Sequence, residues 1–320
     1  MDRNEGRGMK KADDEALKKE KDRAKRIMRD VYSLLQGRGQ FAAVVSKAYD
    51  WVFTFLVQGR HKNPVHHTPW VVRSMVEITR DQTLTRSQWR LGLLAAVFHD
   101  AGNAFEPRGQ GKITAEHVRQ DPTLLEAAIK QRERHMRNGA LLVELFSGAK
   151  GAPRLNAKDI RNLKHLVEHH DDPTIAQLLL DAKRLGKGNR QQQLRRYLFG
   201  PGQGRLAVML READRLWMLT PDGIVADLRR KEQKRKPWHA QSQITHNVIR
   251  HWEERQLYED AEMRQVSGLR FGADSAFYRT KNGQQLFLWH QRSLRAQRKS
   301  QWAKGVKKGV FPTYDPPPHI

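Results

Sequence analysis

An apolar run that stops at two metal-competent side chains constrains this sequence more than any other feature. The run from Leu91 to Phe98 ends in His99-Asp100, and Gly102 follows almost at once. It is too short to span a bilayer, and Thr85 and Ser87 ahead of it are good helix caps, so it predicts a buried helix. The last turn then carries an imidazole and a carboxylate to the edge of the core. An ionised carboxylate is costly to bury unless a partner compensates its charge. A divalent metal is such a partner, because neutral imidazole and carboxylate both ligate one. Taken alone, the dipeptide is better explained as a helix-ending His beside a capping Asp.

Four other segments repeat the pattern. His67 opens a run with Val71, Met75 and Ile78 at the spacing of one helix face. His135 stands in register with Gly139, Leu142, Val143 and Phe146. His169 and His170 end the run Leu163, Leu166, Val167, which Pro173 stops. Asp214 falls between Leu210 and Trp217, on the apolar face of a fifth helix. A carboxylate facing a core is hard to explain in isolation. Five helices that each bring His or Asp to an apolar face can build one site.

Read in order, these phrases are His67-Thr68-Pro69-Trp70-Val71, Phe98-His99-Asp100-Ala101-Gly102, His135-Met136-Arg137-Asn138-Gly139-Ala140, His169-His170-Asp171 and Arg211-Glu212-Ala213-Asp214-Arg215-Leu216. The ordered set resembles the HD-domain superfamily of metal-dependent phosphohydrolases, over roughly residues 60–225. The additional His135 and His169-His170 look like its two-metal branch, which includes the HD-GYP phosphodiesterases. The resemblance implies a helical core in which His67, His99, Asp100 and Asp214 hold a first divalent ion. It implies that His135, His169 and His170 hold a second, with Asp100 bridging. His66 is the alternative to His67, but the four-residue step from His67 to Val71 fits the helix better. Nitrogen and oxygen ligands of this kind suit Mn, Fe, Co, Ni or Mg.

The sequence departs from that branch in three places. His169-His170 continues as Asp171-Asp172-Pro173, so the Gly-Tyr-Pro phrase is absent, which argues against cyclic-di-GMP as substrate. Asn103 stands where many relatives place a lysine. Arg108 or Lys112, in the loop just after the His-Asp pair, or a His would then have to meet the phosphate, unless the two loop residues are ordinary solvated charges. Asn63 rather than Glu lies four residues before His67, which argues against a third ion in the same centre.

Composition narrows the chemistry further. There are no cysteines, so disulfides and thiolate metal sites are excluded. The formal net charge is +24, a field that attracts nucleic acid, nucleotides or an acidic membrane surface. Phe41 to Val57, the most apolar long stretch, contains Lys47 and Asp50 and is not a convincing transmembrane helix. The N-terminal residues lack the apolar core of a secretory signal. A cytoplasmic protein is the expectation.

The fold expected is all-α: a helical core at 37–236, a charged N-terminal extension and helix at 1–36, and a C-terminal region at 237–320. Helices are expected at about 40–57, 123–147, 223–236 and 240–258. Asn156, with Asp159 three residues on, marks the start of the helix that ends at His169-His170. Pro69 suits the first turn of the helix that carries His67. Residues 276–289 read as a small β-hairpin, with Lys281-Asn282-Gly283 as its turn. The stretch 183–211 is basic without an acid and punctuated by Gly200-Pro201-Gly202, and the tail from Lys281 to Tyr314 mixes Lys and Arg with Trp289 and Trp302. Such mixtures suit phosphate contacts and base stacking. The expected function is a two-metal phosphodiesterase acting on a nucleotide-type phosphate ester. The alternatives are a nuclease-like enzyme on RNA or DNA, and a nucleic-acid-binding HD protein with little turnover.

Overall fold

The computed structural model describes residues 18, 21–22, 24–35, 39–58, 64–80, 82–106, 113–182, 192–193, 196–197, 204–220 and 278–298. These are mostly helical, and no strand occurs among them. No described helix is long and apolar enough to cross a membrane. Two compact units are present. The first takes the described residues of Met1–Glu77, Thr83–Lys112 and Lys130–His170; the second takes those of Ile78–Gln82, Ile113–Ile129 and Asp171–Ile320.

In the first unit, residues 24–34 form helix α1, and Ala24, Ile27, Met28, Val31 and Leu35 are its buried stripe. Helix α2, Gly39–Gln58, buries Val45, Ala48, Tyr49, Val52 and Leu56 at the same helical spacing. Helix α3, Pro64–Thr79, carries His67, and helix α4, Arg86–Phe98, is the apolar run. Every residue of α4 from Leu91 onward is buried, and each fully buried Leu or Val contributes about 2 kcal/mol. Thr85 caps α4: its side chain accepts from the Gln88 amide while the Gln88 side chain accepts from the Thr85 amide. Ser87, the other expected cap, lies inside the helix and donates to Asp159, 3.1 Å away.

A 3-10 turn, Ala101–Phe105, follows the His-Asp pair and packs on α2 and α4. Helix α5, Ala115–Gln120, is short, and helix α6, Leu125–Ser147, carries His135. Helix α7, Ala157–Glu168, starts as expected at Asn156, whose side chain accepts from the Asp159 amide at 2.8 Å. Asp159 also pairs with Arg90 of α4, which locks α7 to α4. An aromatic group fills the core behind the His-Asp pair: Phe98, Trp51 and Phe146, with the Phe146 ring 5.3 Å from each of the other two.

The second unit contains α5, helix α8 at Asp172–Asp181, helix α9 at Arg205–Leu216 and helix α10 at Lys281–Arg298. Val118, Ala128, Leu178 and Ala182 form an apolar cluster in it. Arg211 of α9 pairs with Asp172 at the start of α8, at 2.9 Å. Glu212 is buried and accepts from the amides of Arg279 and Thr280 and from the Thr280 hydroxyl.

Two expectations are corrected. The helix carrying His67 begins at Pro64, so Pro69 lies inside it rather than in its first turn. The expected hairpin falls partly outside the described residues, at 276–277, but its turn and second strand are the helix α10. The physical reason is the cap: the Thr280 side chain accepts from the Gly283 amide at 3.0 Å, which starts a helix where Asn-Gly could have started a turn. Gly283, Leu286, Phe287 and His290 are then buried along one face. The helices expected at 223–236 and 240–258, most of the stretch 183–203 and the tail beyond 298 lie outside the described residues.

Candidate metal centre

Five of the side chains singled out from the sequence meet inside the first unit. His67 comes from the first turn of α3, His99 from the C-cap of α4, Asp100 from the residue after it, His135 from the middle of α6, and His170 from just past the end of α7. They form two overlapping groups able to hold a metal ion: His67, His99 and Asp100; and Asp100, His135 and His170. The four histidines are buried, and the Asp100 side chain is 22% exposed.

Two of the rings are fixed in the same way. His99 Nδ1 lies 2.8 Å from the Ala96 carbonyl, and His170 Nδ1 lies 2.7 Å from the Val167 carbonyl, each three residues upstream. A carbonyl only accepts, so each Nδ1 carries the proton. In the neutral ring the Nε2 lone pair is then turned toward the centre. This is the tautomer that a metal-ligating histidine needs.

The Nε2 atoms pair off. His99 Nε2 is 2.9 Å from His67 Nε2, and His135 Nε2 is 3.3 Å from His170 Nε2. With metal–nitrogen bonds of about 2.1 Å, two adjacent ligands are about 3.0 Å apart in an octahedron and about 3.4 Å apart in a tetrahedron. The observed separations fall on those values. The residues present therefore fit a divalent ion at each pair.

Asp100 addresses both pairs, with one oxygen each. Oδ2 lies 3.5 Å from His67 Nε2, and Oδ1 lies 3.7 Å from both His135 Nε2 and His170 Nε2. Burial works against ionisation of this carboxyl. The polar contact with His170 and the charges of His99, His67 and His135 outweigh it and hold the group well below the ordinary carboxylate range. Asn103, buried in the 3-10 turn, donates from Nδ2 to Asp100 Oδ1 at 2.7 Å.

Close backbone approach brings the Asp100 turn to α6. A Cβ on Gly102 would overlap the His135 carbonyl and the Gly139 amide. A Cβ on Gly139 would lie 2.9 Å from Val167 Cγ1 and 3.2 Å from the Phe98 carbonyl. Two glycines thus let the turn, α6 and the ends of α4 and α7 crowd together. Glu106 and Arg134, 2.7 Å apart, tie the end of the same turn to α6 one residue before His135.

The remaining expected site residues are placed as follows. His169 is half-buried and belongs to neither ligand group; its ring centre lies 4.6 Å from that of His165 on α7. Asp214 is half-buried on α9 of the second unit and belongs to neither group. The side chain of His66, along with Arg108 and Lys112, lies outside what is described. Sequence reasoning noted Asn103 only as a missing lysine and did not see its bond to Asp100.

A helical protein with a buried His/Asp cluster is compatible with an HD-like fold. No protein-family model, no curated protein and no solved structure matches the chain.

Proposed function

We propose that this chain is a metal-dependent phosphohydrolase of the HD type, a two-metal phosphodiesterase acting on a nucleotide-type phosphate ester. The observation that carries the reading is the carboxylate of Asp100, which offers Oδ2 to one pair of imidazoles and Oδ1 to the other. That is the arrangement a bridging ligand needs. His67, His99 and Asp100 would hold one ion, and Asp100, His135 and His170 the other.

A pair of divalent ions supplies an activated water at neutral pH and clamps phosphoryl oxygens. The chain's own residues do the rest. The Nδ1 bonds fix the His99 and His170 rings with Nε2 toward the centre, and Asn103 holds the Asp100 carboxylate in one rotamer. The depressed Asp100 carboxyl stays ionised across the physiological range, so no proton competes at the bridging position. The buried rings keep bulk water from the back of the site while the partly exposed edge of Asp100 leaves an approach.

The net charge of +24 favours a polyanionic ester, and this supports a second reading within the same chemistry, a nuclease-like activity on RNA or DNA. A screen of cyclic mono- and dinucleotides, nucleoside phosphates and oligonucleotides with Mn or Fe tests both readings. The expected result is hydrolysis of at least one class by the parent and a loss of at least about a thousandfold in Asp100→Ala. An Asp100→Ala protein as active as the parent would exclude this mechanism.

A further inference from the structure

We infer that the outer face of the first half of α7, together with the start of α4, is a binding surface for the phosphodiester backbone of a single-stranded nucleic acid. Between Gly148 and Lys164 the sequence carries Lys150, Arg154, Lys158, Arg161 and Lys164 against one acid, Asp159. That acid is turned away from the face: Asp159 is buried and taken up by Arg90 and Ser87 of α4. Lys164 is balanced by Glu144, 2.8 Å away. Arg154, Lys158 and Arg161 are exposed, as is Arg86 at the start of α4. None of these four has an ion pair among the described residues.

Helix register and packing bring these cations together. Lys158 and Arg161 are three residues apart and share one face of α7, away from the buried Leu163, Leu166 and Val167. Arg154 lies two residues ahead of the N-cap, Asn156. Helices α4 and α7 run side by side in the same direction. Ser87 and Arg90 meet Asp159 at one end, and the His99 and His170 ring centres are 5.2 Å apart at the other. Arg86 and Lys158 each adjoin in sequence the bonded pair of Ser87 and Asp159, so Arg86 extends the patch onto α4. Asn162, also exposed, adds a donor and an acceptor for sugar or base.

Four clustered cations without acidic partners attract a polyanion, and each phosphate they meet releases condensed counterions. Helix α7 rises about 1.5 Å per residue, so Arg161 stands about 10 Å from its end, just before His170. A ligand that meets both the patch and the buried centre is therefore a chain of phosphates rather than one. An anionic bilayer fits the face less well. Interfacial surfaces press apolar side chains into the lipid beside their cations. The exposed large apolar residues among those described, Phe105, Leu141 and Leu145, lie on neither α7 nor α4. The inference rests on charge and placement, so it stands whether or not the buried centre hydrolyses a phosphate ester.

The test is fluorescence anisotropy of a labelled oligo-uridylate with the full-length protein over a range of salt, without added metal. The triple variant Arg154→Gln, Lys158→Gln, Arg161→Gln removes the patch. A control triple on α1, Lys25→Gln, Arg26→Gln, Arg29→Gln, removes the same charge from a helix where Asp22 and Asp30 are interleaved. The parent is expected to bind. The patch variant should lose at least about tenfold in affinity at about 0.1 M salt, with the slope of log K on log salt lessened by about 2. The control should keep the parent's slope. Arg161→Gln alone should lessen the slope by about 0.7, and it carries the test if the triple variant fails to fold. A parent that does not bind at low salt overturns the inference, as do equal losses in patch and control variants or a patch variant that binds like the parent. Vesicles containing phosphatidylserine form a second arm: a patch variant that loses the vesicles and keeps the oligonucleotide overturns it in favour of a membrane surface. Asp100→Ala should bind the oligonucleotide as the parent does. A hydrolysis screen that fails while this binding holds sinks the proposed activity alone.

Discussion

Asn103 Nδ2 donates to Asp100 Oδ1 across 2.7 Å, and the same oxygen is the one that faces His135 and His170. An outer residue of this kind fixes the rotamer of a ligand and so its readiness to bind. Asn103→Ala is expected to weaken the ion held with His135 and His170 by about 10- to 100-fold, with a stability loss of only about 1 kcal/mol. Competition titration with a chelating dye measures the first, and urea unfolding of the metal-free protein measures the second. Equal affinities for the two proteins would show that Asp100 needs no such support.

Gly102 has no room for a side chain, because a Cβ would meet the His135 carbonyl and the Gly139 amide. Gly102→Ala must therefore push the turn away from α6, carrying Asp100 away from His135. A loss of roughly 3 kcal/mol or more is expected, together with loss of the metal shared by Asp100 and His135. Gly148→Ala is the control: its Cβ would lie 3.8 Å from the Leu145 carbonyl, and its stability should change by about 0.5 kcal/mol at most. Thermal unfolding of the pair separates the close approach from a general cost of replacing glycine.

Glu212 gives the fold a pH dependence. Burial pushes its carboxyl up to about 7, despite hydrogen bonds from the Thr280 hydroxyl and from the Thr280 and Arg279 amides that favour the anion. The folded pKa lies above the ordinary value of 4.5, so the folded state holds the proton more tightly than the unfolded chain does. Its contribution is fully present below about 4.5 and is lost as pH rises through about 7. The span is on the order of 3 kcal/mol. Between pH 5 and pH 8.5 the parent should lose more stability than Glu212→Gln, which cannot ionise. Parallel curves for the two proteins would show that the carboxyl does not titrate in this range.

Much of the candidate metal centre was legible because its signals are local. His67, His99 and His135 each lie in register with buried apolar positions, and helix period alone places them on a core face. The caps at Thr85 and Asn156 were equally local, since each is a side chain bonding an amide three residues on. What escaped depends on contacts distant in sequence or on the competition between two local options. Nothing near His169 states that its ring turns to His165 while His170 turns inward; that follows from where α7 ends. Asn282-Gly283 favours a hairpin turn by itself, but Thr280 caps a helix there, and Glu212, far away in the sequence, fixes the capping segment. Gly102 was visible as a glycine after the His-Asp pair, yet its reason is the backbone of α6.

The central claim is that paired imidazoles converge on the two oxygens of Asp100 to hold two divalent ions. Elemental analysis of the full-length protein, loaded with Mn or Fe and then dialysed to remove loosely held ions, tests it most directly. The account predicts about two equivalents per chain in the parent and a loss of both in Asp100→Ala, since that carboxylate serves each group. A parent protein that retains no metal, or an Asp100→Ala protein that retains as much as the parent, would contradict it.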